Sequence, residues 1–132
     1  MVALVGDLSF LHDVNGLALL SNAKHPVIFV VINNEGGGVF SFLPIAKETN
    51  VFSPMFDTPH HHELSSASRC YGIEHTKIST MDEWQNVCAA IKHMKHHRVI
   101  EVMSDKKRNY KCHELIKSRL LEKMNQNNRR IA

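Results

Sequence analysis

The sequence predicts an α/β fold, an open parallel sheet with flanking helices, and three observations carry that expectation. Short apolar runs alternate with helix-periodic stretches in the order β-α-β-loop-α-β-α-β-α, the rhythm of a sheet whose parallel strands are joined by crossover helices. Two of the runs, residues 2–5 and 27–32, are apolar throughout, as strands covered on both faces are. Each ends in a short polar group, Gly6-Asp7 and Asn33-Asn34-Glu35, and in such sheets ligands gather beyond the carboxyl ends of the strands. The two polar groups are therefore expected side by side.

In chain order, residues 2–5 form the first strand. Leu11, Val14, Leu17, Ala18 and Leu20 recur at helical spacing, which predicts a helix from residue 11 or 12 to 21, with Ser9 as its N-terminal cap. The start of that helix aims free backbone N–H groups at the Gly6-Asp7 turn, a setting that favours an anion. Residues 22–26 read as a loop, and the β-branched and aromatic residues 27–32 as the second strand. Gly36-Gly37-Gly38 is unsuited to a helix interior, because glycine loses the most backbone freedom on ordering. It is read as a tight turn that contacts a ligand.

Residues 41–59 hold three prolines together with Phe42, Phe52 and Phe56, which predicts an irregular, partly buried, functional loop. A helix from residue 61 or 62 to 70 or 71 presents Leu64, Ala67, Ser68 and Tyr71 on one face, and Gly72 stops it. A strand over 75–78 follows. Ser79 or Thr80 then caps a helix over 81–94 whose inner face is Trp84, Val87, Cys88, Ile91 and Met94. Residues 98–103 form the last strand. The final helix, 107–123, is expected to bury Tyr110, Leu115, Ile116, Leu120 and Leu121, and residues 125–132 form a polar, frayed tail.

At 132 residues and 43% hydrophobic content the chain is one domain with an ordinary core. A net charge of +3, with basic residues spread along the chain and no aromatics interleaved among them, argues against a nucleic-acid partner. No apolar run approaches the roughly 20 residues of a membrane span, so no membrane partner is expected, and the amino terminus lacks the marks of a targeting peptide. Cys70, Cys88 and Cys112 are widely spaced without a C-x-x-C pair and read as free thiols of a reducing compartment. The histidine clusters, His60-His61-His62 beside Asp57 and Glu63, and His93, His96 and His97, read as solvated surface rather than a zinc site, since adjacent histidines diverge. Lys106-Lys107-Arg108 and Arg129-Arg130 read as solvated charge.

The chemistry concentrates at the two polar strand ends. Asp7 supplies a carboxylate, and Asn34 a side-chain amide followed by three glycines with freely turned carbonyls. Oxygen donors of this kind suit a hard divalent cation that bridges protein to phosphate. Taken singly, Asp7 reads equally as a strand-end turn residue and Asn34 as a turn former. Together, 27 positions apart, they are more specific than either alone.

The pair closely resembles the diphosphate-binding signature of thiamine diphosphate (ThDP) enzymes, Gly-Asp-Gly/Leu-Ser followed about 25 to 30 residues later by Asn-Asn. The blocks Gly6-Asp7-Leu8-Ser9-Phe10-Leu11-His12-Asp13 and Asn33-Asn34-Glu35-Gly36-Gly37-Gly38-Val39-Phe40-Ser41-Phe42-Leu43-Pro44 are most similar to the SEPHCHC synthase (MenD) family of menaquinone and phylloquinone biosynthesis. The stretch Leu43-Pro44-Ile45-Ala46-Lys47-Glu48-Thr49 resembles the version in the fused phylloquinone-pathway protein of plants (PHYLLO). The resemblance is strong over the first sixty residues and a matter of pattern beyond.

The resemblance implies that residues 1–124 are the C-terminal part of a ThDP- and Mg²⁺-binding (or Mn²⁺-binding) domain, and that the chain starts inside that domain. It implies that Asp7, Asn34 and the carbonyl of Gly36 hold the metal, that Gly6, Leu8 and Ser9 contact the phosphates, and that Gly37 is also among the cofactor-binding residues. Val39 and Phe40 would pack against cofactor and substrate, with Leu43 lining the same pocket; ordinary core packing is the competing explanation for all three. The family's reaction decarboxylates 2-oxoglutarate and adds the succinyl unit to isochorismate. Its catalytic glutamate comes from a partner pyrimidine-binding domain, of the same or another subunit of a homo-oligomer, so no catalytic residue is expected here and the chain alone should be inactive. A plant parent would be plastid-located, and any other cytoplasmic. A non-catalytic interaction module with the same fold, and a fragment of another ThDP lyase or decarboxylase, are the alternatives; Phe40-Ser41-Phe42-Leu43-Pro44 argues against the latter.

Overall fold

The computed structural model describes the backbone of residues 1–131, and the side chains of all of these except Thr49 and residues 128–131. Arg129, Arg130 and Ala132 of the expected charged tail therefore lie outside the described side chains. Four parallel strands, β1 (Val2–Gly6), β2 (Ile28–Asn33), β3 (Glu74–Ile78) and β4 (Arg98–Met103), pair in the order β1-β2-β4-β3. The alternation of apolar runs with helices thus produces the expected open α/β sheet. Gly6 pairs with Ile32 and Val31 with Glu101, so the polar ends of β1, β2 and β4 come out along one edge.

Both faces of the sheet are packed. On one, Val31 and Val99 meet Phe10, Leu17, Leu64 and Ile73, residues supplied by α1 (Asp7–His12), a 3-10 helix (Val14–Asn22) and the segment around α3 (Leu64–Cys70). On the other, Ile28, Val30, Ile78 and Ile100 pack under Trp84, Val87, Ile91 and Met94, of which the first three belong to α4 (Met81–Ile91). This helix starts in a full capping box: Thr80 Oγ1 accepts from Glu83 N (3.2 Å), and Glu83 Oε2 accepts from Thr80 N (3.0 Å) and Ser79 N (2.7 Å). Gly72, at φ +66°, ends the previous helical segment in the left-handed region that favours glycine.

Several expectations are corrected. The first helix does not wait for residue 11. It begins at Asp7, with Gly6 in the cap position and Ser9 inside, because the Asp7 carboxylate accepts from Leu8 N–H (2.7 Å) in the first turn. Asp13 interrupts the helix, and the apolar periodicity continues as a 3-10 turn. The stretch 41–59 is a succession of short helical turns, including Pro44–Lys47, α2 (Thr49–Phe52) and Ser53–Asp57, braced by stacked Phe52 and Phe56. β1 is an edge strand rather than a covered one, leaving Val2 and Leu4 exposed. Cys88 is also exposed, and all three cysteines are free.

The final helix, α5 (Lys106–Ile131), runs past residue 123. Its first turns touch the body, where Phe42 meets Tyr110 and His113 with ring centroids 5.3 and 5.2 Å apart. Leu115, Ile116, Leu120 and Leu121 are about half exposed and form no core. The amphipathic pattern is present, but no layer of the described structure meets it.

Candidate functional site

The site lies where β1 and β2 end. Parallel pairing sets their carboxyl ends side by side, and the chain turns there over Gly6-Asp7 and again over Asn33-Asn34-Glu35-Gly36. Asp7 is the junction, only 3% exposed. Its Oδ2 accepts from the backbone N–H groups of Asn34 (3.1 Å) and Gly36 (3.0 Å), and its Oδ1 from Leu8. A carboxylate can accept about four hydrogen bonds, so Oδ1 keeps capacity for one more partner.

Asn34 is half-buried, and its Oδ1 is buried without a hydrogen-bond partner. A buried carbonyl oxygen left unpaired is costly, and in a pocket edge it marks a place built for a donor or a cation. Glu35 adopts a left-handed backbone (φ +59°) and Gly36 φ +142°. Gly36, Gly37 and Gly38 leave no room for side chains. A Cβ on Gly36 would lie 2.3 Å from the Asp57 carbonyl, one on Gly37 2.3 Å from the Phe56 carbonyl, and one on Gly38 2.7 Å from Asn34 Nδ2. Gly37 N–H donates to the Asp57 carbonyl (2.7 Å), and Lys106 Nζ pairs with the Asp57 carboxylate at 2.7 Å, so loop 41–59 and α5 clamp the glycine turn from outside.

The residues expected to gather do so in part. Gly6, Asp7, Leu8, Asn34, Gly36 and Gly37 surround the two turns, and Ser9 sits one residue further along α1, exposed. Val39 (69% exposed) and Leu43 (48%) are not core residues, so ordinary packing does not account for them. Phe40 is half-buried against Phe56. Leu43 lines a cavity of about 650 Å³ with Phe42, Phe52, Lys47 and Tyr110; Val39 and Phe40 are not among its lining residues.

Sequence reasoning missed two features. His60, placed above in a solvated cluster, is 8% exposed, and its Nε2 approaches Asp7 Oδ2 to 3.2 Å without hydrogen-bond alignment. Its Nδ1 accepts from His62 N–H (3.3 Å), which leaves the proton of the neutral ring on Nε2, facing the carboxylate. The Thr58-Pro59 segment carries His60 inward, while His61 and His62 are exposed as expected. The second is Glu101, 3% exposed on β4, bonded to Asn33 and His75. A lone charge in Val99-Ile100-Glu101-Val102 was the available signal. Among the described residues no group of three or more His, Cys, Asp or Glu side chains is arranged to hold a metal.

Comparison with known proteins adds the following. Residues 1–102 match the family model described as thiamine pyrophosphate enzyme, C-terminal TPP binding domain. The chain is similar to the 2-succinyl-5-enolpyruvyl-6-hydroxy-3-cyclohexene-1-carboxylate synthases of Chlorobaculum tepidum (40% identical over 117 residues) and Chlorobium limicola (36%), covering 89% of this chain and 20% of each relative. It spans, then, about one fifth of the length of those relatives. Among solved structures, benzoylformate decarboxylase from Polynucleobacter necessarius superposes with a TM-score of 0.66 at 30% identity, covering 80% of this chain and 19% of the other. A thiamine diphosphate-dependent 4-hydroxybenzoylformate decarboxylase of Rhodococcus jostii superposes at 0.65 and 22% identity, over 79% and 19% respectively, which speaks for the fold.

Proposed function

The chain belongs to the thiamine pyrophosphate enzyme family, as its C-terminal TPP-binding domain, and on that premise we propose that it is the ThDP- and Mg²⁺-binding portion of a SEPHCHC synthase. The parent reaction in this reading is decarboxylation of 2-oxoglutarate and transfer of the succinyl unit to isochorismate. The similarity to two such synthases supports the choice of family branch. The observation that carries the site is the buried, unpartnered Asn34 Oδ1 in a turn whose Asn34 and Gly36 amides are held by the Asp7 carboxylate.

The residues fit the group. Asp7, Asn34 and the Gly36 carbonyl form an all-oxygen donor set, the kind a hard cation takes, and the glycine turn keeps side chains away from it. Asp7 and Asn34 would hold the cation through Asp7 Oδ1 and Asn34 Oδ1, with Gly36 offering its carbonyl. Gly6, Leu8, Ser9 and Gly37 would face the phosphates, and Val39, Phe40 and Leu43 the organic part of cofactor and substrate. When bound, ThDP supplies the carbanion-stabilising chemistry. This chain's residues bind, orient and exclude water.

His60 Nε2 opposes part of the charge on Asp7 from the side of Oδ2. No residue here stands in for the glutamate of a pyrimidine-binding domain, so the chain alone is inactive in this reading and works with that domain on the same or another subunit. The exposed apolar side chains Val2, Leu4, Ile116, Leu120 and Met124 support such a neighbour.

Titration calorimetry of the chain with ThDP tests the reading. Saturable binding that appears with Mg²⁺ or Mn²⁺ and disappears with chelator is expected. Absence of metal-dependent heat at millimolar cofactor, in a chain shown to be folded, refutes it. Adding the pyrimidine-binding half of a synthase is then expected to restore turnover of 2-oxoglutarate with isochorismate.

A further inference from the structure

Behind the turn lies a buried polar network that the cofactor site does not use. Glu101 projects from β4 to the same face as Asn33 of β2 and His75 of β3. Its Oε1 accepts from Asn33 Nδ2 (2.7 Å), and its Oε2 lies 2.8 Å from His75 Nε2. Lys77 Nζ stands 3.7 Å from Oε1. The network borders a cavity of about 360 Å³ that His60, Glu35 and Glu63 also line. An acidic side chain taken so far from water needs strong partners, and it has them.

The consequence lies in the next bond. Asn33 Oδ1 accepts from the backbone N–H of Glu35 (2.9 Å), closing the turn in the way an asparagine side chain does from two residues back. An amide can be placed either way round, but an ionised carboxylate only accepts. With Glu101 in place, the NH₂ of Asn33 must face β4 and its oxygen must face Glu35. The carboxylate and the donor-only N–H of Glu35 thus demand the same orientation, and Glu101 anchors from behind the side chain that holds Glu35 at φ +59°. Asp7 grips the flanking amides, Asn34 and Gly36, from the other side.

We propose that Glu101 is a positioning residue for the cation-binding turn, acting through Asn33 to hold Glu35 left-handed and so to aim Asn34 Oδ1 and the Gly36 carbonyl. The ligand consequence rests on the cofactor reading above; the effect on the turn does not. The partners of Glu101 are Asn33, His75 and Lys77, and it makes no hydrogen bond to Asp7, Asn34 or Gly36. His75 bonds to the carboxylate and makes no hydrogen bond to Asn33, so it supplies a control for mere loss of network stability.

The experiment compares Glu101→Leu, Glu101→Gln and His75→Ala by amide hydrogen exchange without ligand and by ThDP titration with Mg²⁺. Glu101→Leu is expected to speed exchange of the Glu35 and Gly36 amides about tenfold relative to Val30 and Val31, and to weaken ThDP about tenfold. Glu101→Gln, which can still offer an oxygen to Asn33, keeps both within about threefold, as does His75→Ala, whatever each costs in overall stability. Unchanged protection at Glu35 and Gly36 in Glu101→Leu, or equal loss in the Leu and Gln variants, overturns the proposal. Should Glu101→Leu not fold, the unmodified chain decides. Slow exchange of the Asn33 side-chain NH₂ is expected, and solvent-like exchange overturns it. A chain that shows the exchange pattern but takes up no ThDP refutes the cofactor reading and leaves the positioning role supported.

Discussion

Asp7 and Asn34 are expected to differ in what their truncation costs the fold, although both belong to the proposed cation site. Asp7→Ala removes the charged acceptor of three backbone N–H groups, those of Leu8, Asn34 and Gly36. Hydrogen bonds to a charged group contribute about 1.5–3 kcal/mol each, and rehydration at the sheet edge recovers part, so a loss of about 3–5 kcal/mol is expected. Asn34→Ala removes an oxygen that has no partner. Deleting an unpaired buried carbonyl relieves about 1 kcal/mol, set against a small loss of turn preference, so stability should stay within about 1 kcal/mol of the parent. Urea denaturation followed by circular dichroism measures both, with equal slopes checking that the unfolding transition is the same. Repeated with Mg²⁺ and ThDP at about one hundred times the dissociation constant, the parent should gain about 2.7 kcal/mol and Asn34→Ala less than about 1. The reasoning fails if Asn34→Ala alone costs more than about 2 kcal/mol, or if its stabilisation by cofactor is undiminished.

Gly38→Ala sets a Cβ 2.7 Å from Asn34 Nδ2 and should cost about 1–3 kcal/mol in urea denaturation, while displacing the Asn34 amide and so weakening metal-dependent ThDP binding. Gly37→Ala meets the Phe56 backbone carbonyl and should cost about 1–3 kcal/mol in urea denaturation. Leu64→Ala empties a fully buried position between α3 and the sheet and should cost about 3–4 kcal/mol by the same measurement. The Glu83 carboxyl is held below its ordinary value of 4.5, first by the Ser79 N–H, then by the N–H and hydroxyl of Thr80. Its folded value lies below its unfolded one, so its contribution is present above about 4.5 and is lost as pH falls through the folded value. The urea midpoint should therefore drop on acidification, and Glu83→Gln should remove part of that drop.

Much of the fold was legible because the signals are local. Residues 98–103 occupy the bounds the sequence predicts for β4, since a short apolar run between polar groups leaves little choice of register. The start of α4 was equally plain, as Thr80 and Glu83 satisfy each other's backbone within four residues. The failures lie where local pattern has to be met by a distant surface. Ile116 and Leu120 show the point: their spacing states that a face of α5 is apolar, and nothing in that spacing states what covers it. Val2 and Leu4 fail in the same way, because a strand's apolar run does not reveal whether it lies at the centre of the sheet or at its edge.

The site divides along a related line. That Asp7, Asn34 and Gly36 come together was legible because they lie on two short blocks at the ends of adjacent strands, and strand pairing alone brings such blocks into contact. His60 and Glu101 were not. His60 is buried by the path of the chain after Thr58 rather than by its own neighbours, Pro59 and His61, which are both exposed, so the surroundings that decide its state are absent from its local sequence. Glu101 sits in a strand whose remaining residues satisfy the apolar pattern, and one exception hardly disturbs a periodicity. Yet burying a carboxylate is so unfavourable without partners that the exception itself carries information. A charge inside an apolar strand implies a donor on the neighbouring strand, and here that donor is the asparagine next to Asn34, which ties β4 to the turn from which the candidate ligand projects.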